Sequence, residues 1–228
     1  MALRRIKKTG PILPRVLDVL RNAIVQGDLE PGQQLNETSI ASRLGVSRSP
    51  VREAIKVLES ENLVQTFSGR GAFVKELSIK EIEDFYGVLR IIHSPAIRIA
   101  AERMNYKKEE DLKTLIDQIT QDHETGDIEK RRLLARRFHR FIIKATENDL
   151  LLKIYDSLRV QEERFRYYTL KAGPEDIAEA HAQHLAIGEA LLKRDPALAE
   201  LMITNHFDTA RLRVLKNIQK HGEATASS

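Results

Sequence analysis

The segment from Asn36 to Val74 constrains the fold more than any other part of this sequence. Within it, LGVSRSPVREA combines a glycine at a tight bend, a hydroxyl residue suited to begin a helix, and arginines in the first exposed turns. A serine at a helix start can accept hydrogen bonds from backbone N–H groups that lack a helical partner. Pro50 is tolerated in the first turn because its missing N–H would be unpaired there. The segment therefore predicts two helices joined by a turn.

A helix before this segment and a hairpin at its end complete a small N-terminal unit. Apolar residues at helical spacing predict a first helix from about residue 14 to 26. Asn36 is expected to cap a second helix that ends near Leu44, and Ser47 a third. Two short strands, 63–67 and 72–75, flank the turn Ser68-Gly69-Arg70-Gly71. This order of elements predicts a winged helix-turn-helix.

After Ser78 the sequence shows a succession of amphipathic helices and no further strand signal. We place these helices at about 79–104, 107–124, 128–146, 149–171, 174–194 and 196–219. The predicted fold class is mainly α, with an N-terminal winged helix-turn-helix and a C-terminal antiparallel all-helical bundle of about six helices. The expected divisions are a basic arm at 1–11, a DNA-binding domain at 12–76, a helical domain at 77–220 and a disordered tail at 221–228.

The distribution of charge is more informative than the net charge of +4. Residues 1–76 carry 12 Lys and Arg against 8 Asp and Glu, and the rest of the chain carries 25 against 25. All of the positive excess is therefore in the N-terminal third, which fits a head that contacts DNA. The absence of cysteine excludes disulfides and cysteine-based zinc sites. No apolar run approaches the roughly 18 residues that a membrane span needs, and we expect a soluble, cytoplasmic protein.

Two groups of motifs resemble a known family. LGVSRSPVREAIKVLESENLV followed by GRGAFV resembles the DNA-binding domain of the GntR superfamily of bacterial transcription regulators. The remainder resembles the FCD effector domain of the FadR-type subfamily, in FHRFIIKATEND around His139, in HLAIGEALLKRD around His184, and at His206. The resemblance covers about residues 12–218. It implies a homodimer that binds a palindromic operator on double-stranded DNA and responds to a small carboxylate-bearing metabolite.

The predicted DNA contacts lie on the third helix and on the hairpin. A recognition helix places its N-terminal turns in the major groove, where arginine pairs with guanine and serine reaches a base or phosphate. Arg48 and Arg52 are one turn apart on one face, and Arg70 between two glycines is suited to enter the minor groove. In an alternative interpretation Arg48 and Arg52 pair with Glu37 or Glu53 on a solvated surface. The full predicted set is Arg43, Ser47, Arg48, Ser49, Arg52, Arg70 and Gly71.

Histidines on three predicted helices suggest a divalent metal site in the helical domain. Imidazoles on the apolar faces of adjacent helices can converge on zinc, nickel or a similar ion, and the predicted ligands are His139, His184 and His206. The family pattern adds an Asp one turn before the first histidine, but this chain has Ala135 there. A metal-free histidine core and a direct anion site are the alternatives.

The resemblance also indicates an effector site. Arg90 stands where the family offers an arginine to the effector carboxylate, which a guanidinium can hold with two hydrogen bonds. Tyr86 and His181 are its predicted neighbours. The alternatives are a salt bridge for Arg90 at an interface and core packing for Tyr86. His181 could also substitute as a metal ligand, orient the metal ligands, or be a plain interior residue.

The expected function is sequence-specific regulation of transcription, and we expect no enzyme activity. The chain lacks a nucleophile elbow, a P-loop and a glycine-rich dinucleotide turn. A repressor of a catabolic operon is favoured over an activator because repression needs only occupancy of the operator. The alternatives are a helical metal-dependent hydrolase fused to a DNA-binding head, a metal-free ligand sensor, and an architectural DNA protein without a ligand.

Overall fold

The computed structural model describes residues 10–76, 78–125, 128–158, 161–162, 165 and 173–226. These residues form two compact units. The head unit contains the described residues up to Ser78 together with 161–162 and 165, and the helical unit contains the other described residues from Ile79 onward. The elements of the head unit are α1 (Ile12–Gln26), β1 (Gln34–Leu35), α2 (Glu37–Leu44), α3 (Arg48–Ser60), β2 (Val64–Phe67) and β3 (Gly71–Val74). Those of the helical unit are α4 (Ile79–Glu102), α5 (Tyr106–Thr125), α6 (Ile128–Ala145), α7 (Asp149–Ser157), α8 (Pro174–Leu192) and α9 (Pro196–Ala226). The predicted mainly α fold class is confirmed.

The first three helices pack around one apolar core, and the turn between α2 and α3 fixes their angle. The Asn36 side chain accepts a hydrogen bond from the Ser39 backbone N–H (2.9 Å), which caps α2. Gly45 then ends α2 with a φ of 71°, a left-handed conformation that glycine adopts without strain. Ser47 occupies the N-cap position of α3, but its side chain makes no capping hydrogen bond. The core of this unit includes Val16, Leu20, Leu44, Val51, Leu58 and Leu63, all fully buried.

The hairpin is part of a three-stranded sheet in the order β1, β3, β2. In the antiparallel pairing of β2 with β3, Val64 lies opposite Val74 and Phe67 opposite Gly71. Gly69 (φ 73°) and Gly71 (φ 90°) provide the two left-handed residues of the turn. Strand β1 was not predicted from the sequence, because two residues are too short to show an alternating pattern.

In the helical unit α4 packs most extensively against α9. The two helices are antiparallel, and polar pairs connect them at intervals of one helical turn. These pairs are Arg90 with Asp208 (3.3 Å), Ser94 with Thr204 (3.0 Å) and Arg98 with Glu200 (2.9 Å). Each step of four residues along α4 corresponds to a step of four residues in the opposite direction along α9. The three polar pairs therefore form a ladder that fixes the register between the two helices.

Two helix ends, those of α7 and α9, differ from the sequence-based ones. Helix α7 ends at Ser157 with Leu158 as its C-cap, and residues 159–160, 163–164 and 166–171 of the predicted helix 149–171 lie outside the described residues. Helix α9 continues to Ala226, into the segment for which disorder was predicted. Residues 1–9 of the expected basic arm also lie outside the described residues. In the described part of the chain, no helix has the length and apolarity of a membrane span.

Candidate DNA-binding surface and histidine cluster

All seven predicted DNA-contacting residues are exposed and belong to the head unit. The N-terminal end of α3 carries four of them, and its first turn brings Arg48 and Arg52 side by side. Both guanidinium groups contact the carboxylate of Glu37, the first residue of α2. Arg52 donates from Nε to both oxygens (3.2 and 3.3 Å) and from Nη2 to Oε2 (3.1 Å), while Arg48 donates from Nη2 to Oε2 (3.3 Å). The arrangement in which these arginines pair with Glu37 is therefore the one observed, and base contact stays a prediction.

This contact has an electrostatic consequence for all three groups. Hydrogen bonding from Arg52 lowers the pKa of the Glu37 carboxyl below its ordinary value; partial burial opposes the shift, and Arg48 adds to it. The same hydrogen bond to Glu37 raises the pKa of Arg52. Glu37 is thus ionised at neutral pH, and its charge offsets one of the two positive charges at this end of α3.

The tip of the hairpin presents Arg70 on an aromatic support. Its guanidinium carbon lies 5.6 Å from the centre of the Phe67 ring and 5.9 Å from that of Phe73. The two rings meet edge to face at 5.7 Å. The Gln34 side-chain amide donates to the Arg70 carbonyl oxygen (2.8 Å), so β1 also anchors the turn. Contacts with the two aromatic rings and with Gln34 therefore hold Arg70 in place, while its side chain remains exposed.

The helical unit brings the three predicted metal ligands together. His139 on α6, His184 on α8 and His206 on α9 are all buried, and each offers a ring nitrogen within 4.8 Å of those of the other two. The Nε2 atoms of His139 and His184 are 3.2 Å apart. Two ligands held about 2.1 Å from a zinc ion at angles of about 90 to 110° are about 3.0 to 3.4 Å apart. The observed spacing fits a shared ion.

The hydrogen-bonding of His206 supports the same assignment. Its Nδ1 lies 2.9 Å from Oε1 of Gln183, an oxygen that can only accept, so Nδ1 carries the proton. The other ring nitrogen, Nε2, is then left with a lone pair, which is the form that binds a metal. Among the described residues no carboxylate joins the cluster, in keeping with Ala135 at the position of the family's Asp. Three imidazoles would leave coordination positions open to an effector oxygen or water.

A fourth imidazole beside the cluster, that of His93 on α4, was missed by the sequence analysis. It is fully buried, and its Nδ1 donates to the Leu89 carbonyl oxygen (3.0 Å). Its ring centre lies 5.5 Å from that of His139, 5.2 Å from Tyr155 and 4.7 Å from Phe207. Burial lowers the pKa of His93 to about 4, so the ring is neutral. A single histidine on an apolar helix face gives no distinctive sequence signal, and only the packing reveals its neighbours.

The three predicted effector residues do not form a cluster of the kind that the three histidines form. Arg90 is exposed, and its Nη1 lies 3.3 Å from the Asp208 carboxylate in the ladder between α4 and α9. Tyr86 is buried and its ring meets Phe85 edge to face at 5.8 Å. His181 is partly buried, one turn before His184 on α8. Effector binding by these three residues stays a prediction.

Comparison with known proteins matches both units to family models. Residues 14–74 match the gntR family of bacterial regulatory proteins, and residues 84–209 match the FCD domain. The chain is 29% identical to the "Probable D-xylose utilization operon transcriptional repressor" of Paenarthrobacter nicotinovorans, over 89% of this chain and 88% of the relative. It is 28% identical to the gluconate operon transcriptional repressor of Bacillus subtilis (strain 168), over 88% of this chain and 84% of the relative.

A solved structure shows the same fold. The crystal structure of a GntR transcriptional regulator from Rhodococcus sp. RHA1 aligns with a TM-score of 0.73 at 20% identity, covering 90% of this chain and 98% of that one. Because the matched family and these relatives are regulators, the alternative of a metal-dependent hydrolase is excluded. The chain belongs to the GntR family of bacterial regulatory proteins, carries an FCD domain, and is a DNA-binding transcription regulator.

Proposed function

We propose that this regulator represses a catabolic operon and is released from its operator by a small carboxylate-bearing metabolite. The names of two relatives, repressors of a D-xylose utilization operon and of a gluconate operon, support a role in the use of a carbon source. In this proposal residues 12–76 bind DNA, and residues 77–220 bind the effector and form the dimer. The observation that carries it is the convergence of three buried imidazoles inside a helical unit of a DNA-binding protein.

The histidine cluster is the proposed centre of the effector site. His139, His184 and His206 hold a divalent metal such as zinc or nickel, and Gln183 orients His206 by accepting its Nδ1 proton. A metal ion bound there would supply positive charge for the carboxylate of the effector. Arg90, with Tyr86 and His181, contributes to binding the same ligand, which requires the Arg90 guanidinium to exchange Asp208 for the effector carboxylate.

On DNA, the N-terminal end of α3 enters the major groove. Arg48 and Arg52 contact bases, Ser47 and Ser49 lie beside phosphates, and Arg43 contacts the backbone. The Ser47 side chain makes no capping bond in α3, which suits a hydroxyl that serves a phosphate. Arg70 and Gly71 of the hairpin approach the adjacent minor groove. Two such heads, one from each protomer, match a palindromic operator with half-sites about one helical turn apart.

Exposed apolar side chains on the helical unit support a homodimer. Helices α4 and α9 both carry such residues outside the ladder that joins them. They are Val88, Ile91 and Ile99 on α4, and Leu201 and Leu212 on α9. The spacing of each set places it on one helix face, and a second copy of the chain would cover this stripe of apolar surface.

The DNA-binding part of the proposal is tested with a duplex selected from a random pool by the full-length protein. Arg48→Ala and Arg52→Ala are each expected to weaken binding to the selected duplex by about 1 to 3 kcal/mol, or about 5- to 150-fold, and to relax specificity. Fluorescence anisotropy at fixed salt gives the affinities. Unchanged preference for the selected duplex over a scrambled one would refute base contact.

Elemental analysis of the purified protein tests the metal site. We expect one divalent ion per chain in the wild type and little in His184→Ala, since one of three ligands is lost. His181→Ala, one turn away on the same helix, is the matched control and should retain the ion. A wild-type protein that remains free of metal after incubation with zinc or nickel would favour the second candidate, a metal-free ligand sensor, in which the contact between His139 and His184 is a simple hydrogen bond.

A further inference from the structure

The carboxylate of Glu37, which both arginines of α3 contact, has no role in the proposed function. Glu37 is the first residue of α2 and is partly buried, whereas the side chains of Arg48 and Arg52 are more than half exposed. Ion pairs at such exposed positions contribute little to folding stability, typically about 0 to 1 kcal/mol. A contribution to folding therefore does not explain why one carboxylate takes four hydrogen bonds from the two groups predicted to contact bases.

The geometry of Arg52 shows which of its donors remain available. Its Nε and Nη2 face Glu37. A guanidinium has five N–H groups in a rigid plane, and the pair on Nη1 and Nη2 that points away from Nε stays available. That outer edge can still reach O6 and N7 of guanine. Arg48 uses only Nη2 toward Glu37, so most of its donors also remain available.

We propose that Glu37 is a positioning residue that fixes the direction of Arg48 and Arg52 and thereby determines the sequence specificity of DNA binding. This inference rests on the proposed base contacts of the two arginines. An arginine held by a carboxylate loses less side-chain entropy when it meets a guanine, and it is less able to turn toward a nearby phosphate. The carboxylate also offsets one positive charge, which weakens attraction to DNA of any sequence. Both effects increase the ratio of specific to non-specific affinity.

The test compares Glu37→Gln with a matched control in the full-length protein. Glu53→Gln removes the same charge from an exposed position on α3, one residue after Arg52. Affinities are measured for the duplex selected by the wild type and for a scrambled duplex of equal composition, across a range of salt concentrations. In Glu37→Gln we expect about fivefold tighter binding to the scrambled duplex, with a salt dependence steeper by about one ion.

The decisive quantity is the ratio of the affinity for the selected duplex to the affinity for the scrambled duplex. Glu37→Gln is expected to lower the ratio of the two affinities at least tenfold, whereas Glu53→Gln should shift both affinities together and leave the ratio within about twofold. Equal ratios in Glu37→Gln and wild type, or equal losses in the two variants, would overturn the positioning role and leave only a general effect of charge. An NMR readout of the Arg52 Nε–H adds a test without DNA, because its resonance should move in Glu37→Gln and stay in place in Glu53→Gln.

Failure of the inference can be distinguished from failure of the proposed function. If Arg48→Ala and Arg52→Ala lose the preference for the selected duplex while Glu37→Gln keeps it, the base contacts stand and the role of Glu37 is refuted. If both arginine variants keep the preference, the base contacts are refuted and the role of Glu37 with them.

Discussion

At the scale of single residues, His93 lies at a position where the burial of an imidazole reduces the folding stability. It is fully buried, and of its two ring nitrogens only Nδ1 has a hydrogen-bond partner among the described residues. A buried polar atom without a partner typically costs about 1 to 3 kcal/mol of folding free energy. The ring packs against His139, Tyr155 and Phe207, so its cost is incurred directly beside the histidine cluster.

The depressed pKa of His93 predicts a specific dependence of stability on pH. The unfolded chain binds a proton at His93 below about pH 6.5, whereas the folded protein does so only below about pH 4. Between these values the unfolded state binds more protons, so stability falls as the pH is lowered through this window. His93→Leu should reduce the loss of stability between pH 7 and pH 4.5 by roughly 2 to 3 kcal/mol.

Urea unfolding of chelator-treated protein measures this difference. The chain has no Trp, and the three Tyr residues in the described part of the chain, Tyr86, Tyr106 and Tyr155, all lie in the helical unit, so tyrosine fluorescence reports mainly on that unit. At pH 7 the variant should be at least as stable as the wild type, since it no longer buries an unpaired nitrogen. An identical pH dependence in the two proteins would show that His93 is not the neutral, desolvated group described above.

At the scale of secondary-structure elements, the two N-caps of the helix-turn-helix have different tasks. Asn36 accepts the Ser39 N–H and stabilises the start of α2, whereas Ser47 makes no such bond at the start of α3. Asn36→Ala should therefore destabilise the head by about 1 kcal/mol, and Ser47→Ala by little. Hydrogen exchange of the full-length protein should show roughly fivefold faster exchange across α2 in the Asn36 variant only. Equal effects would contradict the separation of tasks.

The same elements show what the sequence can and cannot predict. Asn36, Gly45 and Pro50 predicted the helix-turn-helix correctly, because each acts through local backbone geometry. Ser47 correctly marked the start of α3, although its side chain does not make the expected capping bond. Strand β1 escaped detection because its two residues are defined by pairing with β3 rather than by a pattern of their own. The three clustered histidines were identified through the family resemblance. The 3.2 Å distance between the Nε2 atoms of His139 and His184 and the polar ladder between α4 and α9 depend on contacts between distant parts of the chain.

Other features of the site could not be predicted from the sequence, because they also depend on contacts between distant parts of the chain. Pairing of Arg48 and Arg52 with Glu37 was one of two interpretations, since the sequence gives no distance between α2 and α3. Arg90 was assigned to an effector by resemblance, and only the structure shows that Asp208 on α9 already faces it. Residues that act through a partner far along the chain, such as Gln183 with His206, give no local signal.

At the scale of the whole molecule, the proposed function requires the helical unit to connect two heads as well as hold a ligand. A single head offers few groups that are predicted to contact bases, and a palindromic site would double them only if the two heads are physically linked. The apolar stripe on α4 and α9 is the proposed surface for this link. Ile91 is its most exposed member, at 74%, and burial of such a side chain in an interface contributes about 1.5 to 3 kcal/mol per copy.

Ile91→Lys should therefore convert the proposed dimer into a monomer at micromolar concentration. Lysine would place two like charges in a desolvated interface, where unpaired charges are strongly unfavourable. Light scattering coupled to size exclusion measures the mass, and affinity for the selected duplex should fall at least tenfold because the two half-sites are no longer bound together. Tyr106→Lys is the matched control, since Tyr106 on α5 is 79% exposed and lies outside the stripe; it should leave both mass and affinity unchanged. A dimeric Ile91→Lys protein with wild-type affinity would exclude this face of α4 as the interface.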